Sequence, residues 1–112
     1  MANKYASYSD DALVKLYQKE LNAVYVGELY KRYSLLVYGL CYKYLKHEEN
    51  AQDAVTEIFE IILEKLKSHE VSYFKSWLFI VSKNHLMRSK AKNNALETID
   101  IENISEKFME NE

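Results

Sequence analysis

The residues best placed to do chemistry lie in Tyr73–Lys92, YFKSWLFIVSKNHLMRSKAK. From Val71 to Leu96 there are five cations (Lys75, Lys83, Arg88, Lys90 and Lys92) and no carboxylate. Aromatic rings interleave with these cations. That pairing suits a polyanion that also offers flat bases for stacking, such as an unpaired nucleic-acid strand. A second cluster has the opposite sign. Glu48, Glu49, Asp53, Glu57, Glu60 and Glu64 precede the first following cation, Lys65. Asp53, Glu57, Glu60 and Glu64 recur every three or four residues and so share one side of a helix. Like charges at that spacing cost a few tenths of a kcal/mol per pair, which suits a face that meets a basic partner.

Enzyme chemistry finds no footing. His47-Glu48 begins like a metalloprotease helix motif, but position 51 is Ala, so the second ligand is missing. His47, His69 and His85 lie far apart, without the repeated Cys or His spacing of a zinc site. Two glycines (Gly27 and Gly39) cannot build a phosphate-cradling loop. The single cysteine, Cys41, sits among apolar residues where an inert buried thiol is expected, and it fits a reducing cytoplasm. Neither catalytic residues, nor a metal, nor a cofactor are expected.

The elements that must position these clusters read as four helices. The first is expected over Asp10–Glu20, with Ser9 as N-cap, Asp10 and Asp11 at the positive end of the helix dipole, and Leu13, Leu16 and Tyr17 as its apolar edge. The second, Ala23–Lys46, carries Leu29, Tyr33, Leu36, Val37, Leu40 and Tyr44 at helical spacing. The third, Glu49–Lys67, has a core stripe of Ala51, Val55, Ile58, Phe59, Ile62 and Leu66. A polar connector, Lys67–Ser72, leads to the fourth, Tyr73–Lys92. At ~100° per residue, Phe74, Trp77, Leu78 and Val81 form its buried side. Lys75, Lys83 and Lys90 then fall opposite, with Asn84 and Arg88 near the azimuth of Trp77. Most of the ten tyrosines are read as half-buried packing residues with wet hydroxyls. Beyond Asn93, Ile101, Ile104 and Phe108 either line a short helix or belong to a mobile tail.

Length and charge set the frame. The 112 residues hold one domain or a domain with a tail. No proline and two glycines favour an all-α fold over a turn-rich β fold. No apolar run approaches the ~18 residues of a membrane span. The net charge of −2 is segmented: −2 over residues 1–70, +5 over 71–95 and −5 over 96–112. Such a pattern is either a solvated, charge-patterned surface or the mark of charged partners.

Three stretches, in order and correctly spaced, resemble one family. Glu28–Gly39, ELYKRYSLLVYG, resembles "LY.RY...V"; Ala51–Phe59, AQDAVTEIF, resembles "AEDVVQEVF"; Ser76–Asn84, SWLFIVSKN, resembles "SWLYRIARN". These are motifs of region 2 of bacterial RNA polymerase sigma factors, nearest the extracytoplasmic-function group, and the likeness spans roughly Asp10 to Lys92. The resemblance implies a compact four-helix bundle over residues 1–94, with 95–112 an acidic tail or the start of an interdomain linker. It implies cytoplasmic transcription initiation: binding core RNA polymerase and recognising and melting the minus-ten promoter element. By this likeness Asp53, Thr56 and Glu57 would dock on the clamp helices of the polymerase's largest subunit; Thr56 stands where the family usually has Gln. The connector and Tyr73–Trp77 would sit where the family captures an unpaired base of the non-template strand, and Lys75, Lys83, Asn84 and Arg88 would contact that strand. An anti-sigma factor is a further partner the family implies. Beside these stand plainer readings: Trp77 as a core anchor, Asn84 bonded to a neighbouring helix, and Lys90 and Lys92 complementing a helix C-terminus. Family members normally continue into a second helical domain that reads the minus-thirty-five element. The alternative to an initiating domain is a non-initiating interaction bundle, a decoy or regulator, of the same ancestry.

Overall fold

Four helices carry the chain: α1 Asp10–Glu20, α2 Val24–Leu45, α3 Glu48–Lys65 and α4 Phe74–Lys92. The computed structural model describes residues 4–92, with backbone alone for 90–92, and residues 108–109. These residues form an all-α four-helix bundle, as the resemblance implied. The longest helix, α2, packs against the other three. The expected stripe of α3 is buried at every position, from Ala51 to Leu66. It meets Leu13 and Tyr17 of α1, Leu29, Val37 and Leu40 of α2, and Leu78 and Leu86 of α4 in one core. Burying each large apolar side chain contributes about 1.5–3 kcal/mol.

The helix ends follow local chemistry. Ser9 Oγ accepts from the Ala12 amide at 3.1 Å, and α1 begins at Asp10 as expected. His47 is the N-cap of α3: its Nδ1 accepts from the Asn50 amide at 3.2 Å, so α3 starts at Glu48, one residue earlier than expected. Before α2, Asn22 Oδ1 accepts from the Val24 amide at 3.0 Å. Both α1 and α2 end on a left-handed residue that is not glycine, Leu21 and Lys46, each at φ 56°. Their amides reach back to Tyr17 and Tyr42 carbonyls at 2.7 Å. A left-handed L-residue costs about 1 kcal/mol, which these closing bonds help offset.

One polar network locks α1 to α2. Arg32 donates through Nη1 to Asp10 (2.9 Å), through Nε to Glu28 (3.0 Å), and through Nη2 to the carbonyls of Tyr5 (3.0 Å) and Ala6 (3.3 Å). Tyr33 adds its hydroxyl to the other oxygen of Asp10. Glu28 is 6% exposed. Desolvation works against the Arg32 charge, but the hydrogen bonds to Asp10 and Glu28 outweigh it and raise its pKa. Replacing Arg32 with Leu leaves Glu28 buried without its main counter-charge. The expected loss is about 2–3 kcal/mol, measured by urea unfolding.

Cys41 is fully buried on α2, and burial, aided by the negative Glu57, pushes its thiol up to about 12. At neutral pH almost no thiolate exists. A disulfide reagent such as Ellman's should therefore modify Cys41 only at the rate of unfolding, and the rate should rise steeply with urea.

Candidate functional site

Two outward surfaces bear the residues singled out by the sequence. The first lies between α2 and α3. Tyr30, Ser34, Leu35 and Tyr38 form one wall of an open groove of about 360 Å³; Gln52, Val55 and Thr56 form the other. Leu35 is 85% exposed, and the ring of Tyr30 packs edge-on against Phe59 at 4.9 Å between centroids. Alongside the groove runs the acidic row. Asp53, Glu57, Glu60 and Glu64 all face solvent. Thr56, on the groove side of that row, bonds its hydroxyl to the Gln52 carbonyl at 3.3 Å. Glu57 leans the other way: its carboxylate meets His85 Nε2 of α4 at 2.8 Å. Glu64 pairs with Lys67 at 3.1 Å. A surface with an apolar groove and a carboxylate margin can hold a helix that carries apolar and basic side chains.

The second surface is α4. Its buried side is Phe74, Leu78, Phe79, Val81, Ser82 and Leu86. This differs from the expectation, in which Trp77 stood in the core and Phe79 and Leu86 did not. Trp77 is half-buried at the edge, its ring centroid 6.1 Å from those of both Phe74 and His69. Phe79 is buried because Phe108 covers it, edge-on, at 5.2 Å between ring centroids. The core side of α4 is thus turned toward Lys75. Lys75 is half-buried and donates from Nζ to the Met109 carbonyl at 3.2 Å, instead of standing opposite the core. Lys83 is half-buried, whereas Asn84 and Arg88 are exposed. The four cationic and amide candidates therefore split into two adjacent rows: Lys75–Phe79–Lys83, and Ile80–Asn84–Arg88. Ile80, 49% exposed, makes the second row partly apolar, and Met87, 47% exposed, continues the first row beyond Lys83. The side chains of Lys90 and Lys92, and Ile101 and Ile104, lie outside the described residues.

The connector between α3 and α4 is pinned from α1. Gln18 Nε2 donates to the carbonyls of Leu66 (2.9 Å) and His69 (2.8 Å), and the Tyr17 hydroxyl donates to that of Leu63. His69 Nδ1 closes on the Lys65 carbonyl at 2.8 Å and its ring sits beside Trp77. A segment expected to present a base-sized recess is thereby held by side chains of another helix.

The family model described as Sigma-70 region 2 matches residues 29–95, more than half of the chain. The chain belongs to the sigma-70 region 2 family. No curated protein and no solved structure matches it. The family is a class of transcription-factor domain, not of enzymes. The matched span contains the groove, the acidic row, the connector and α4, while the pinning helix α1 precedes it. No described helix of this region 2 domain is long and apolar enough to cross a membrane. Among the described residues, no group of three or more His, Cys, Asp or Glu side chains could hold a metal.

Several features of these surfaces escaped the sequence reading. Leu35 was visible as an apolar residue off the core stripe of its helix. Gln18 and the His85–Glu57 bond carry no local signal, because their partners lie 48–51 and 28 residues away. Replacing Gln18 with Ala should speed amide exchange at Ser68 and His69 by about tenfold, one net hydrogen bond's worth of local opening.

Proposed function

We propose that this region 2 domain is the part of an extracytoplasmic-function sigma factor that binds core RNA polymerase and then handles the minus-ten promoter element, in the cytoplasm. Residues 1–94 are taken as the working domain and 95–112 as an acidic tail or the beginning of a linker. Asp53, Thr56 and Glu57 dock on the clamp helices of the polymerase's largest subunit. The neighbouring groove around Leu35 supplies the apolar half of that contact. The connector and the start of α4 capture an unpaired base of the non-template strand, while Lys75, Lys83, Asn84 and Arg88 bind along it.

The observation that carries this reading is the family match over α2–α4 together with the chemistry left outward on those helices: an 85%-exposed leucine beside a carboxylate row, and cations on α4. The energetics are consistent. Extruding a base costs a few kcal/mol, which stacking on aromatic rings, worth about 1–3 kcal/mol per base, can offset. The strand's phosphates gain from the cations, so binding to free DNA should be weak and fall steeply with salt. Polymerase docking supplies the remaining affinity by holding α4 at the promoter.

A pull-down on core RNA polymerase tests the docking half. Wild-type chain should be retained. Leu35→Glu, at an exposed position that does not support the core, should weaken retention at least about tenfold, and Asp53→Arg combined with Glu57→Arg should abolish it. No retention of the wild type, or no loss in these variants, would overturn the reading. Retention without opening of a minus-ten duplex would identify the non-initiating interaction bundle instead.

A further inference from the structure

The C-terminal residues Phe108 and Met109 return to α4 and sit on one of its two rows. Phe108 is 3% exposed, with its ring against Phe79. Lys75 and Lys83 lie one helical turn either side of Phe79 on the same line. Lys75 is the donor to the Met109 carbonyl. The contact therefore combines an apolar anchor with capture of a cation, both on a row proposed to follow the nucleic-acid strand. The sequence around the anchor is acidic: residues 96–112 hold six carboxylates and one lysine, against five cations and no carboxylate over 71–95. Glu106 and Glu110 flank Phe108–Met109 directly in the sequence.

We infer that this segment is an intramolecular strap that competes with the nucleic-acid strand for the Lys75–Phe79–Lys83 row of α4. In the strapped chain the Ile80–Asn84–Arg88 row stays open. Release of Phe108 exposes an aromatic ring flanked by two cations, the combination that holds a phosphate chain and stacks on a base. It also removes nearby negative charge that repels the strand. Among the described residues the segment meets this row through the Phe108–Phe79 ring contact and the Lys75–Met109 hydrogen bond, so a polyanion that takes Lys75 competes with it directly. Strand binding and strap docking are then mutually exclusive, and each weakens the other by the same factor. This inference rests on the proposed strand-binding role of α4.

The test uses the full 112-residue chain and a fluorescein-labelled single-stranded oligonucleotide, followed by fluorescence anisotropy across a salt series. Phe108→Ser should bind about fivefold tighter than wild type at low salt. Its slope of log affinity against log salt should steepen by about 0.7, as expected for one more cation released to a phosphate of a single strand. Adding Lys75→Glu to Phe108→Ser should cancel both changes. Glu106→Gln with Glu110→Gln keeps the ring in place and should also tighten binding, which guards against a Phe108 variant that folds poorly. Equal affinities and slopes for wild type, Phe108→Ser and the Gln pair, with Arg88→Glu still weakening all of them, would overturn the strap and leave the strand reading intact. Absence of oligonucleotide binding in every variant would overturn both.

Discussion

The arrangement of this domain depends on the Arg32 guanidinium and the carboxylates of Asp10 and Glu28. The three charged groups are mostly withdrawn from water, and a partner missing from such a set leaves an unpaired buried charge at a cost of several kcal/mol. The network stays favourable because every arm of Arg32 is used: two carboxylates and two backbone carbonyls of the N-terminal turn. Its consequence reaches beyond the pair of helices it joins. With α1 fixed on α2, Tyr17 and Gln18 are delivered to the last turn of α3 and to the connector. The connector in turn sets His69 beside Trp77 and fixes where α4 begins. A chain of contacts thus runs from a charged lock on one side of the bundle to the segment where a base would be captured. Its long-range steps join residues 22 to 51 positions apart.

The two charged surfaces are less separate than their sequence segments suggest. The acidic row belongs to α3 and the cations to α4, yet the two helices pack together, and His85–Glu57 bridges them at 2.8 Å. Glu57 therefore has two claims on it: His85 within the fold, and any basic side chain that docks along α3. A half-exposed bond of this kind is worth about 0.5–1.5 kcal/mol net, small enough for a partner to remake it. Meanwhile Asp53 and Thr56 are exposed, and the Thr56 hydroxyl bonds within its own helix. The row grades from residues committed only outward to one shared with the neighbouring helix.

What the sequence made legible was the part governed by local rules. The stripe of α3 appeared at its helical spacing and is buried throughout, and the bounds of α1 followed from Ser9 and the two aspartates beside it. The start of α2 was missed by a residue because its N-cap, Ala23, makes no side-chain cap bond, and that of α3 because His47 is an uncommon capping residue. The left-handed ends at Leu21 and Lys46 were unreadable, since the usual signal there is glycine. The orientation of α4 failed for a different reason. At ~100° per residue its buried residues span an arc of roughly 160°, and the expected stripe of Phe74, Trp77, Leu78 and Val81 caught only one side of it. The other side, at Phe79, is closed by Phe108, 29 positions beyond it. Asp53, Thr56 and Glu57 are exposed on α3, whereas Lys75 is drawn inward by the same segment that lies on Phe79.

Inside, this domain is locally consistent: among the described residues no buried side-chain polar atom lacks a partner. Its misfits all point outward. Asp53, Glu57, Glu60 and Glu64 repel one another along α3, and Leu35, Ile80, Met87 and Tyr73 present apolar surface to water. For stability alone, a lysine at Leu35 and at two of the carboxylates would serve better, by relieving repulsion and removing exposed apolar area. A fold that satisfies its interior so fully has no structural need of these features. His85 and Lys67 meet Glu57 and Glu64 from within the fold; an outside cation would relieve the rest of the repulsion on α3, and an outside side chain would cover Leu35. The groove that Leu35 lines is walled on its other side by Gln52, Val55 and Thr56 of the helix that bears the carboxylates, so one partner that carries both properties can meet them together.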